Sequence, residues 1–285
     1  MSALISLALF LIMVSLGLHL PNKQLVLLKR RPGLLLRVLL TTCVGIPVAA
    51  LLLLRSPLGQ ALSPAMTTAL MVMAICPSAP LISFKSYAVA GNAELAARLQ
   101  LCSACAAILS VPIWINQLPI DAPETLWRVS AKEVAAQVFS VQVIPLLVGM
   151  GLRQRCSDWA ERWKPVVQKA ASILLLLLLA VAWIAAFPNV TTALVADLRG
   201  ASLMLLLTAL ALLLGYWIAS EDKAERSTVP LVIAMRNPGL ALLLVQQMSP
   251  DTSELKAAIA GYVVMTAIGM TPFIHWRKGL AETPR

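Results

Sequence analysis

The sequence predicts an all-helical protein that crosses a membrane about nine times, and three observations carry that prediction. Of the 285 residues, 59% are apolar and 13% charged, and the mean hydropathy is +0.84. A soluble domain leaves too much of its surface wet to bury that share of apolar side chains. Apolar runs recur along the whole chain, and at about 20 residues per crossing they account for most of it. Lys and Arg gather in alternate connections between those runs. The composition excludes a soluble enzyme, a disordered chain and a nucleic-acid-binding protein. The net charge of +10 then reads as loop charge.

Nine runs follow in order. The first, 2–20, has no basic leading region and no small-residue cleavage site, so it reads as a span and not as a signal peptide. The second is 34–54. The third, 61–90, contains CPSAPLISFKSYAVAGN, with Pro77 and Pro80 inside it and Gly91-Asn92 at its end. The fourth, 92–116, carries Cys102-Ser-Ala-Cys105, which has no second Cys pair or His beside it and therefore reads as packing rather than as a metal or redox site. The fifth, sixth and seventh are 130–152, 169–187 and 200–218. The eighth, 227–248, contains VPLVIAMRNPGLALLLVQQ, with Pro230 early and Asn237-Pro238-Gly239 in its middle. The ninth is 254–275. No connection is long enough to fold by itself, so residues 1–285 read as one membrane unit.

Other residues fit this frame. Cys43, Cys76, Cys102, Cys105 and Cys156 are odd in number and all but Cys156 lie in apolar runs, so they read as small buried residues and not as a disulfide framework. His19 and His275 read as helix-end caps, and most Trp and Tyr residues lie near span ends, as an aromatic belt requires. No glycine-rich phosphate loop and no protease motif is present. The chain is expected to be no enzyme, with no cofactor and no metal site.

Orientation follows from the cations of the connections. Lys23, Lys29, Arg30, Arg31 and Arg37 flank the first connection, and Arg153, Arg155, Arg162, Lys164 and Lys169 lie between spans five and six. Lys223 and Arg226 precede span eight, and Arg277, Lys278 and Arg285 follow span nine. With nine spans all fifteen fall on one side, against five (Arg55, Arg128, Lys132, Arg199 and Lys256) on the other. The expected arrangement has the N-terminus outside and the C-terminus in the cytoplasm. Eight or ten spans would scramble the asymmetry.

The third and eighth runs stand apart. Proline removes a backbone donor and clashes with the preceding turn, so Pro77, Pro80, Pro238 and the adjacent Gly239 are expected to kink or break them. Proline kinks also occur in membrane helices for packing alone. Two interrupted spans at matched places in the two halves, however, point to an inverted-repeat carrier with its site where the breaks meet. Each run also holds one cation, Lys85 or Arg236. A cation at the bilayer centre costs about 2.5–3.5 kcal/mol on insertion scales. Each lies about 10 Å from a span end at helical rise, so snorkelling to the headgroups is the bland reading. Against it, every Asp and Glu lies in a connection or at a span end, Glu94 being nearest to Lys85 in sequence, so neither cation has an obvious carboxylate partner within the membrane. Two unpaired positive charges would attract an anion, and a guanidinium offers a planar fork to carboxylate, phosphate or sulfate.

These residues also resemble a family. SLGLHL…LLKRRPGLLLRVLL, Ile46-Pro47, Cys76-Pro77, Tyr87 to Gly91-Asn92, and then Met235, Asn237 and Gly239-Leu240 are similar in order and spacing to the bile acid:sodium symporter family, over nearly the whole chain. The resemblance implies a core of two crossing broken helices beside a smaller panel. The core would comprise about 34–116 and 200–278, the panel about 1–20 and 130–187. It implies a bacterial inner (plasma) membrane and a small organic anion as substrate, carried by alternating access.

The departures from the family pattern concern sodium. Where the family's sodium symporters have Gly-Gly-Thr-Ala-Ser-Asn, this chain has Ser78-Ala79-Pro80-Leu81-Ile82-Ser83. By the resemblance, the family's Ser-Asn pair falls on Ile82 and Ser83, its Glu on Val232 and its following Gln on Arg236. Its fourth-span Ser and Thr fall on Ala96 and Gln100, and a second-span Gln on Thr42. A hard cation needs several oxygen ligands, preferably charged ones. Sodium is thus not expected to bind. Lys85 and Arg236 would stand in for its charges, with Ser78, Ser83, Thr42, Gln100 and Asn237 completing the substrate site. A uniporter, an exchanger or a proton-coupled carrier all fit. The alternatives are that both cations merely bond carbonyls freed at the breaks, that the chain exports a metalloid such as arsenite through Cys76, or that it is a non-transporting sensor or assembly subunit.

Overall fold

The computed structural model describes residues 2–19, 31–79, 91–115, 139–248 and 253–282, together with Ile82, Ser86, Val89, Lys132, Ala135 and Ala136. In chain order the helices are α1 Ser2–His19, α2 Pro32–Leu40, α3 Ile46–Arg55, α4 Pro64–Ile75, α5 Ala93–Ile115, α6 Ile144–Arg155, α7 Ser157–Ala196, α8 Leu198–Ile218, α9 Lys223–Ala234, α10 Pro238–Met248 and α11 Ser253–Glu282. A π turn, Thr41–Gly45, joins α2 to α3, and a second, Phe139–Val143, leads into α6. Among the described residues there is no strand, only an isolated antiparallel bridge between Ser78 and Arg236. Among the described residues four stretches are long and apolar enough to cross a membrane: Pro32–Arg55, Ala93–Ile115, Leu198–Ile218 and Ser253–Leu280.

Two expectations change. The polar stretch 157–168 and residues 188–196, read as connections, both belong to α7, a single helix of 40 residues. At helical rise it is about 60 Å long, roughly twice the hydrocarbon thickness of a bilayer. Its first turns are amphipathic: Ala160 is buried against Val14 and Leu18 of α1, so a charged sequence still has an apolar face to hold. The cysteines are also less buried than expected. Cys76 is buried, Cys43 and Cys102 are half-buried, and Cys105 and Cys156 are exposed. An apolar run in a membrane protein has an outer face that meets lipid, so apolarity alone does not place a residue inside.

The packing falls into clusters. The largest joins α2 to α5 with α8 to α11 and runs from Leu34 to Met270. A second places Met13 and Leu16 of α1 and Leu146 and Met150 of α6 against Ala97 and Leu101 of α5. Helices α1 and α6 cross closely. A Cβ on Gly149 would strike the Val14 carbonyl, and one on Gly17 the Leu146 carbonyl.

Each end of the bundle is tied by polar contacts. At one end Arg31 and the Ser220 hydroxyl both donate to the buried carboxylate of Glu225. Arg277 donates to the Lys223 carbonyl (2.6 Å) and the Ser227 hydroxyl (2.9 Å) at the same end. At the other, Asp197 accepts from the backbone N–H groups of Ser63 (3.1 Å) and Gly200 (2.9 Å), which pins the starts of α4 and α8 together.

Candidate functional site

The site is built where two helices stop short. Helix α4 ends because Pro77 has no N–H for the carbonyl of Met73 four residues earlier. Cys76 N–H makes the last helical bond, to Val72 (3.2 Å). The N–H of Ser78, which would have served Ala74, turns to the Ser103 hydroxyl (3.4 Å). Helix α9 ends likewise. Met235 N–H reaches Leu231 (3.0 Å), but Asn237 N–H leaves Ile233 and donates to the Pro77 carbonyl (2.9 Å). Ala79 N–H donates to the Met235 carbonyl (2.8 Å). The two unwound stretches, 76–79 and 235–237, are thus paired antiparallel, and each replaces part of the other's lost helix.

This leaves carbonyls without helical partners: Met73, Ala74 and Ile233. A fourth comes from the π turn. Ile46 N–H donates to Thr41, and in that register the Thr42 carbonyl would face Pro47, which has no N–H. The guanidinium of Arg236 takes up all four. Its Nε donates to Met73 (3.3 Å), Nη1 to Ile233 (3.4 Å), and Nη2 to Thr42 (3.0 Å) and to Ala74. Arg236 is 3% exposed, and among the described residues no carboxylate pairs with it. Cys43, Cys76 and Tyr262 lie within electrostatic reach. Four of its five N–H donors are thereby engaged by backbone, which leaves one for anything else.

Among the residues singled out, several buried polar atoms have no partner among the described residues: the Thr42 hydroxyl, both amide atoms of Gln100 and the Nδ2 of Asn237. The Oδ1 of Asn237 accepts the Leu240 N–H (3.1 Å) and so caps α10, whose first residues are Pro238 and Gly239. The Ser78 and Ser103 hydroxyls are 3.4 Å apart.

Of the residues singled out in the sequence, Ser78, Arg236, Asn237, Pro77 and the Thr42 carbonyl therefore meet at the crossing. Gln100 lies one turn before Ser103 on α5. Lys85, Ser83 and Pro80 lie outside the described residues. Sequence reading missed Ser103, Tyr262 and the four carbonyls. Ser103 was findable as the next inward position after Gln100, whereas a carbonyl carries no side-chain signature.

Residues 6–193 match the Sodium Bile acid symporter family. The chain belongs to that family. The match covers more than half of the chain, and it ends before α8, so Arg236 and Asn237 lie beyond it. No curated protein matches the chain. Family and apolar helices together make this an integral membrane protein of the bile acid/sodium symporter kind, which is a transporter family.

Proposed function

We propose that this chain is a secondary carrier of a small organic anion that works by alternating access without sodium, and that Arg236 supplies the positive charge a coupling ion would bring. The observation behind this reading is the guanidinium held by four backbone carbonyls at the crossing. Carbonyl oxygens are the donor type that a hard cation takes, and here a tethered cation already occupies them. With Val232 where the family's resemblance implies a carboxylate, no acid offsets that charge. An anion arriving at the crossing completes the charge balance, and the free donors of Asn237 and Gln100 supply hydrogen bonds that the bare site lacks. Lys85 is proposed as the second charge. The clusters fit a division into core (34–116 and 200–278) and panel (1–20 and 130–187), with α5 at the seam. The host is proposed to be a bacterial inner membrane.

The test is thermal unfolding of the purified protein in sodium and in choline at matched ionic strength. An ion at a hundredfold excess over its Kd adds about 2.7 kcal/mol to stability. The melting temperature is expected to be the same in both salts. A rise specific to sodium would overturn the sodium-free reading. Carboxylate and sulfonate anions are then screened by the same readout, and Arg236→Gln is expected to weaken the binding of any hit without introducing sodium dependence.

A further inference from the structure

We propose that the corner between α6 and α7 is a binding surface for the headgroups of anionic phospholipids. The corner is strongly basic, with Arg153 and Arg155 in the last turn of α6 and Arg162, Lys164 and Lys169 on α7. Part of that charge is already matched. Arg153 donates to Glu161, and Lys164 stands 4.0 Å from the same carboxylate. Arg155, Arg162 and Lys169 have no ion pair among the described residues and are exposed. The remaining carboxylate of the corner, Asp158, accepts a hydrogen bond from its neighbour Ser157 (3.3 Å).

The apolar side of the corner supplies the second half of the argument. Trp159 and Trp163 stack one turn apart, with ring centroids 6.2 Å apart and planes at 28°. Both remain largely exposed, at 45% and 44%. Helix α7 buries Ala160 and Ala171 toward the bundle, and the opposite face runs Trp159, Arg162, Trp163, Val166, Lys169, Ile173, Leu177. Helical periodicity puts these on one stripe. The stripe passes from aromatic and basic residues to the exposed aliphatic side chains of Ile173 and Leu177 within about 27 Å of rise. That order matches the order of a leaflet, from headgroup to acyl chain. Amphipathic Trp rings sit at headgroup depth, and free guanidinium forks beside them suit a phosphate diester. Leu18, at the end of α1, packs against Ala160, so the stripe's polar end is level with the end of an apolar helix. A soluble anion would need no such gradient, and a lipid does.

The experiment compares melting temperatures in phosphatidylcholine nanodiscs with and without phosphatidylglycerol. The full chain is expected to gain several degrees from phosphatidylglycerol, and the gain is expected to shrink as salt is added. The triple variant Arg155→Gln, Arg162→Gln, Lys169→Gln is expected to melt like the parent in phosphatidylcholine alone and to lose most of the gain. A matched variant at the other end, Arg55→Gln, Arg199→Gln, Lys256→Gln, is expected to keep it. No gain in the parent, a gain retained by the corner variant, or an equal loss in the far-end variant would each overturn the proposal. So would an equal rise with inorganic phosphate in phosphatidylcholine discs, which would mean a free-anion site, or a stripe buried against a second copy, seen as doubled mass with no response to headgroup charge.

Discussion

Arg236 is the residue on which the crossing depends, because the carbonyls it serves are ones that no helix can serve. A buried carbonyl left without a donor costs about 1–3 kcal/mol, and four of them share this one side chain. Arg236→Lys keeps the charge and three donors but loses the planar fork. Arg236→Met keeps much of the volume and loses everything polar. Lys is expected to cost about 1–3 kcal/mol, and Met distinctly more. Thermal unfolding in detergent reads both, and a Met variant as stable as the Lys variant would remove the structural role. Arg236 and its lack of an acid partner were legible in the sequence. What it touches was not, since backbone oxygens belong to every residue alike. The clue was nonetheless present in the spacing: Pro77 falls four residues after Met73, and Pro47 falls five after Thr42.

Helices are the next scale, and here the sequence told breaks better than boundaries. Pro77 follows the end of α4 and Pro238 opens α10, where a missing N–H coincides with a change of helix, whereas Pro112, Pro230 and Pro272 are carried inside helices. The 40-residue length of α7 was hidden, because its charged first turns look like a loop until α1 provides a partner for Ala160. Inward faces were equally obscure, since lipid accepts apolar side chains on every side of a helix and removes the amphipathic signal. Glycines supply some of that missing information. On α6, Gly149 abuts the Val14 carbonyl, whereas nothing lies within 4 Å of a Cβ placed on Gly151. In a helix interior Gly→Ala normally gains about 0.5–1 kcal/mol. Gly151→Ala is expected to show that gain or no change, while Gly149→Ala forces α1 and α6 apart and lowers the melting temperature. Equal effects of the two substitutions would mean that the close crossing carries no stability.

At the scale of the whole molecule the bias of Lys and Arg along the chain becomes a geometric one. Arg31 meets Glu225 in the first turn of the broken helix α9, and Arg277 of α11 meets Lys223 and Ser227 of the same helix. His19 and Arg31 bracket the first basic connection, and Leu18 beside His19 packs on the start of α7. Three parts of the chain that are far apart in sequence thus bring their cations to one end. Arg199 lies at the other, beside a cavity of about 990 Å3 between the starts of α4, α8 and α11. Insertion retains such cations on the cytoplasmic side because translocating them is costly. A green fluorescent protein fused after Arg285 is therefore expected to fluoresce, and alkaline phosphatase fused at the same point to be inactive. Phosphatase placed after Gly59, in the connection before α4, is expected to be active. The pair of fusions decides more than orientation. An even number of crossings would put the two chain ends on one side, and the basic end could then no longer face the cytoplasm through all of its connections at once. Active phosphatase at both points would therefore refute the nine-span count, and activity after Arg285 with none after Gly59 would refute the reading of charge.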